Sequence, residues 1–85
     1  MSQFSILTVA FFNALGVTAA QLEEWITWAK AQAPEAGKPA DLFMAKLREN
    51  VPTTPEKLLM FGVDAWQEWT GEDPGFSSSA GFGSV

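Results

Sequence analysis

The chain has 85 residues, with ten acidic and five basic side chains, a formal net charge of −5, and no cysteine or histidine. This length allows one small domain. The absence of cysteine excludes disulfides, thiolate catalysis and sulfur-ligated metal sites. The acidic balance argues against nucleic acid as a partner, because phosphates repel such a surface. The absence of cysteine fits a cytoplasmic protein.

The first segment, residues 4–15, is apolar nearly all round. This pattern is typical of a helix that is buried on several sides or seated in a partner. Its β-branched and aromatic content also permits a buried strand over residues 4–12. Gly16 suits a left-handed helix end, with Val17 packing back on Phe12 as in a Schellman cap. We therefore expect a first helix over residues 4–15, with the strand as an open alternative.

The uncharged run from Phe4 to Leu22 is long enough to raise a second possibility, a membrane-spanning segment. Asn13, Gly16 and the helix-start signals that follow argue against a continuous span. No basic residue precedes the run, so it lacks the basic region of a signal peptide. We expect no membrane partner, although a small membrane-associated protein that spans with residues 4–22 stays an alternative.

The second segment carries the clearest local signals. Thr18 is placed as an N-cap with Gln21 completing a capping box, and Val17 and Leu22 form the matching hydrophobic staple. The pattern predicts an amphipathic helix over residues 19–33, which the stretch "PEAGKP" ends.

Proline marks the start of each of the next two helices. Pro39, with Asp41 beside it, indicates a third helix over residues 39–49. Thr54 as N-cap and Pro55 at the first helical position indicate a fourth over residues 55–70. Gly62 interrupts that helix, which predicts either close helix packing or a kink there.

The carboxyl-terminal stretch "GEDPGFSSSAGFGSV" has the composition of a tail that cannot fold alone. In an extended chain Phe76 and Phe82 would point to one side, so they are candidate anchors. The sequence thus predicts an all-α protein. A single four-helix domain over residues 1–70 is followed by an extended Gly/Ser tail, residues 71–85, which a partner would order.

The sequence contains few of the residue types that usually perform catalysis. Without histidine or cysteine, acid–base catalysis would fall to carboxylates or lysine. The pairs Glu23–Glu24 and Glu72–Asp73 do not face one substrate, and "GEDPG" lacks the ligand positions of a calcium loop. We predict no enzyme, and no catalytic residue, cofactor or metal site.

The four tryptophans form two pairs spaced three residues apart, which places each pair on one side of a helix. Such pairs could stack on sugars or cage a quaternary ammonium ion. Sites of that kind also need polar side chains directed at the ligand, and this chain offers mainly carboxylates. A role in the core or in a protein interface is therefore favoured. Because the large apolar side chains exceed what a domain of this size buries, we expect other protein subunits to cover some of them. The predicted partner-binding residues are Phe4, Phe11, Phe12, Trp25, Trp28, Trp66, Trp69, Phe76 and Phe82.

The segments "MSQFSILTVAFFNALGV" and "GFSSSAGFGSV" look like a docking amino terminus and a threading tail. In this overall style the chain resembles small helical accessory proteins of tailed bacteriophages and gene-transfer particles. The resemblance implies a non-enzymatic structural or assembly protein, present in many copies and incorporated in a virion, and it assigns no functional residue. A further alternative is an acidic inhibitor or adaptor that caps a basic partner surface, whose binding would weaken strongly with salt.

Overall fold

The computed structural model describes residues 3–33 and 35–72, and within these ranges the chain forms four α-helices and no strand. The helices are α1 (Ile6–Ala14), α2 (Ala19–Gln32), α3 (Pro39–Asn50) and α4 (Pro55–Thr70). The all-α prediction is confirmed, and residues 6–14 are helix rather than strand.

The junction between α1 and α2 is fixed by backbone hydrogen bonds and caps. Gly16 has a φ of 88°, and the Val17 amide donates to the Phe12 carbonyl at 2.9 Å, as in a Schellman motif. Thr18 then caps α2: its Oγ1 accepts from the Gln21 amide at 3.1 Å, and the Gln21 side chain accepts from the Thr18 amide at 3.0 Å. The predicted stop and capping box are both confirmed.

Helices α3 and α4 begin at Pro39 and Pro55, the two prolines that predicted their starts. Pro39 opens α3, which has no side-chain N-cap, whereas Thr54 Oγ1 accepts from the Lys57 amide at 3.2 Å at the start of α4. Gly71 ends α4 in the left-handed conformation, with a φ of 76°. Four of the eight helix ends differ from the predicted ones, each by one or two residues.

The core is built from apolar side chains of all four helices and the turns between them. Helix α2 packs on α3, and α4 packs on α3, α1 and α2. Aromatic and aliphatic side chains share the centre, and partly buried rings surround it. The buried apolar residues are Phe12, Val17, Leu22, Ile26, Ala29, Ala40, Phe43, Met44, Leu47, Val51, Leu58, Ala65 and Trp66.

Gly62 of α4 lies directly against two side chains of α3. A Cβ atom at this position would lie 2.6 Å from Met44 Sδ and 2.9 Å from Leu47 Cδ1. The buried glycine therefore lets the two helices approach, and the close packing predicted at this position is confirmed.

Candidate interaction surfaces

Helix α1 is held against α4 by a carboxylate as well as by apolar contacts. Glu68 Oε1 accepts from the Ser5 amide at 2.8 Å, and Glu68 Oε2 accepts from Thr8 Oγ1 at 3.1 Å. Ser5 itself caps α1, because its Oγ accepts from the Thr8 amide at 3.2 Å. The negative charge of Glu68 also lies at the positive end of the α1 dipole. These contacts fix which side of α1 faces the domain.

Two aromatic pairs extend the same contact. Phe4 stacks on Trp69 with ring centroids 5.0 Å apart, and Phe11 stacks on Phe61 with centroids 3.9 Å apart and an interplanar angle of 7°. Phe4, just before α1, meets the end of α4, and Phe11, late in α1, meets the middle of α4, so the two helices run antiparallel. Three predicted partner-binding residues, Phe4, Phe11 and Trp69, thus contact aromatic rings of the chain's own domain and are partly buried.

Two of the predicted partner-binding residues are core residues. Phe12 is fully buried, and the Trp66 ring packs against Phe43 with centroids 5.7 Å apart. Both side chains are inaccessible to a partner in this conformation. The sequence pattern placed them on apolar faces correctly, but α1 and α4 turn those faces toward the domain centre.

The other tryptophan pair is divided between the core edge and the surface. Trp25 packs against the core and is partly buried. Trp28 is exposed, with Lys46 Nζ lying 4.4 Å from its ring centroid, a cation–π contact between α2 and α3. Of the four tryptophans, Trp28 is therefore the most exposed, at 37%, and Lys46 lies over its ring.

The remaining predicted anchors, Phe76 and Phe82, lie outside the residues that the structure describes. The same holds for Pro34 and for the tail from Asp73 onward.

The most exposed large apolar side chains are not among the predicted partner-binding residues. On α1, Ile6 is 88% exposed and Leu7 is 69% exposed. On α4, Met60 is 58% exposed and its neighbour Leu59 is 44% exposed. The signal for the first pair was present in the sequence, because a helix that is apolar all round must leave one side outside when only the other side packs.

We call the solvent-facing side of α1 the outer face. It lies opposite Thr8 and Phe12, the two buried residues of this helix. Nothing on it is charged, and its one polar member is an asparagine. The exposed residues of the outer face are Ile6, Leu7, Ala10, Asn13 and Ala14.

Two further properties bear on function. Among residues 3–33 and 35–72, no three acidic side chains come together in a way that could hold a metal ion. Among the same residues no single helix is long and apolar enough to cross a membrane, and only the pair α1 and α2, bent by 97°, would pass by length and composition together.

The sequence matches no protein-family model, and comparison of the chain with curated proteins and with solved structures found no significant match.

Proposed function

We propose that this chain is a non-enzymatic interaction protein, a multi-copy structural or assembly component of the tailed-phage type, present in the cytoplasm of the producing cell and then in the virion. The observation that carries the proposal is the exposure of four large aliphatic side chains. They form two pairs of sequence neighbours, Ile6 with Leu7 on α1 and Leu59 with Met60 on α4.

These side chains are exposed although the domain has a well-formed core. The aromatic rings of Phe4, Phe11 and Trp69 pack against other side chains of the same domain, whereas the two aliphatic pairs are exposed on its surface. Complete burial of a fully exposed side chain of this size is worth about 1.5–3 kcal/mol, and each of these side chains would gain the share that corresponds to its exposed fraction. A partner subunit that covers both pairs would therefore gain binding free energy without any rearrangement of the domain.

The tail supports the same proposal. It follows Gly71, which ends α4, and it contains two phenylalanines among glycines and serines. A segment of this composition can order itself on a neighbouring subunit and bring Phe76 and Phe82 as anchors. Subunits of an assembly would then be joined both by helix packing and by tails.

The test is the native size of the tagged full-length chain in a lysate of the cell that encodes it, measured by gradient sedimentation. We expect the 9.2 kDa chain to sediment as part of a much larger complex. The double substitution Leu59→Gln with Met60→Gln, and separately a truncation after Glu72, should release it as free protein. The matched control is Thr27→Gln with Ala31→Gln, two exposed positions on α2.

Sedimentation of the unaltered chain as free protein would contradict the proposal. Raising the salt concentration separates it from the acidic inhibitor alternative. Apolar contacts weaken little with salt, whereas binding to a basic surface falls steeply.

A further inference from the structure

We propose that the outer face of α1 is a self-association surface, on which a second copy of this chain packs its own α1 antiparallel about a two-fold axis near Ala10. The inference rests on the proposed function and deepens it, because it names the partner of one of the two exposed aliphatic pairs. A two-fold contact presents the same patch from both copies, so the patch must be compatible with itself in charge and in shape.

Charge is the first argument for a second copy. The chain has a net charge of −5, so two copies repel each other over most orientations. Helices α2, α3 and α4 all carry charged residues, whereas α1 carries none. The carboxylate of Glu68, which accepts hydrogen bonds from Ser5 and Thr8, lies on the side of α1 that faces α4. The outer face of α1 is thus the helical surface where two copies can meet without placing like charges together.

The same property disfavours other partners. A basic protein would bind an acidic surface, and this face offers no carboxylate. An anionic lipid surface would repel the acidic domain, and the outer face has no lysine or arginine to hold lipid headgroups. A second copy of this chain, which presents the same uncharged apolar surface, matches the outer face better than a basic protein or an anionic lipid surface does.

Shape is the second argument. Ile6, Ala10 and Ala14 are spaced four residues apart, so they follow one stripe of the helix over about 12 Å. The large side chains, Ile6 and Leu7, lie at one end of this stripe, and the small Ala14 lies at the other. In an antiparallel pair, Ile6 of each copy lies over Ala14 of the other, and Ala10 faces Ala10. The helix axes can then approach closely, and their dipoles are opposed.

A parallel pair would not pack in this way. It would set Ile6 against Ile6 at one end and leave a gap between two alanines at the other. Because α1 has only nine residues, the contact is smaller than a standard stable interface. We therefore expect a weak dimer, with a dissociation constant on the order of 100 μM, that an assembly would reinforce through many copies.

The test is sedimentation equilibrium of the full chain in plain buffer from about 10 μM to about 1 mM, a range that brackets the expected constant. Ala10→Glu places two carboxylates opposite each other at the two-fold axis and should weaken the dimer more than about tenfold. Ala31→Glu, at an exposed alanine of α2, adds the same charge elsewhere and should change the constant less than about twofold. Thermal unfolding of both variants checks that each still folds.

Disulfide trapping tests the direction of packing. The chain has no cysteine, so a single introduced cysteine reports one position. Ala10→Cys should form a disulfide dimer far faster than Ala31→Cys. In an equimolar mixture of Ile6→Cys and Ala14→Cys, the mixed disulfide should exceed the Ala14→Cys homodimer by well over the twofold ratio that random pairing gives.

Three results would overturn the inference: a chain that stays monomeric to about 1 mM, an equal effect of the two glutamate variants, and preferential trapping of the Ala14→Cys homodimer, which indicates parallel packing. Binding of a monomeric chain to phosphatidylcholine vesicles, lost in Ala10→Glu, would assign the face to lipid instead. If the chain is monomeric in buffer and still sediments in a large complex in the lysate, this inference fails while the proposed function stands.

Discussion

Glu68 and Thr8, sixty residues apart in sequence, are joined by a hydrogen bond of 3.1 Å from the threonine hydroxyl to the carboxylate Oε2. Thr8 is the one buried polar residue among those that the structure describes, and its hydroxyl has this partner in α4. The bond therefore satisfies a buried polar group and at the same time orients α1, which determines the residues that form the outer face.

Thr8→Val should destabilise the domain by about 1–2 kcal/mol, because it removes a hydrogen bond to a charged acceptor while keeping the side-chain shape. Thr27→Val, at an exposed threonine of α2, is the matched control and should change stability by less than about 0.5 kcal/mol. Urea unfolding of both variants, followed by circular dichroism, measures the difference. Equal stability of the two variants would contradict the role assigned to the Glu68 contact.

Gly62→Ala should destabilise the domain by about 1–3 kcal/mol, although alanine is the better helix former by about 1 kcal/mol. The new Cβ would lie 2.6 Å from Met44 Sδ and 2.9 Å from Leu47 Cδ1, so these two buried side chains would have to shift within the core. The same substitution in a Met44→Ala background should cost less, which a double-mutant cycle measures. A rise in the unfolding midpoint of the single variant would contradict this prediction and show that the Met44 side chain shifts at little cost.

Gly16→Ala should cost about 1 kcal/mol for a different reason. No heavy atom lies within 4 Å of the position a Cβ would take, but the residue has a φ of 88°, which alanine adopts poorly. Gly16→Asn should be milder, because asparagine tolerates the left-handed conformation better. Thermal unfolding of the two variants checks the order, and an equal or larger loss for asparagine would contradict it.

The two tryptophan environments predict unequal responses to the same substitution. Trp66→Phe removes atoms from the core beside Phe43 and should cost about 1–3 kcal/mol, whereas Trp28→Phe at the surface should cost less than about 1 kcal/mol. Iodide quenching of the fluorescence provides a second measurement. Trp28→Phe should remove more of the quenchable emission than Trp66→Phe, and the reverse order would contradict the burial of Trp66.

The stack of Phe11 on Phe61 predicts a coupling between these two side chains. A cycle of Phe11→Leu, Phe61→Leu and the double variant should give a coupling free energy of about 0.5–1.5 kcal/mol. The control cycle pairs Phe11→Leu with Trp28→Phe, which lies on another helix and should be additive. Additivity of the Phe11 and Phe61 changes would show that the stack contributes nothing beyond burial.

Most of the helical architecture could be predicted from the sequence, because the signals that set helix ends are local. Thr18 with Gln21, Thr54 with Pro55, and Gly16 each act within a few residues, and the structure confirms them. The predicted start of α1, residue 4, is two residues too early. It begins at Ile6, after the Ser5 cap, and its position is reinforced by Glu68, a tertiary contact that no local pattern contains.

The choice of exposed residues could not be predicted in the same way. The sequence favours aromatic residues as interface candidates, but Phe12 and Trp66 are core residues and Phe4 is stacked on Trp69. In α1 nearly every position is apolar, so periodicity does not indicate the inward side. The inward side follows from the Thr8–Glu68 bond and the Phe11–Phe61 stack, which leave Ile6 and Leu7 outside.

The stack of Phe4 on Trp69 brings the first and last parts of the folded segment side by side. Any polypeptide that enters before Phe4 and leaves after Gly71 therefore does so through neighbouring points. Because its two ends lie close together, the domain could be inserted into a loop of another protein without moving the two residues that flank the insertion. Its ends could equally be joined by a short linker and the chain reopened at Gly37, an exposed turn residue.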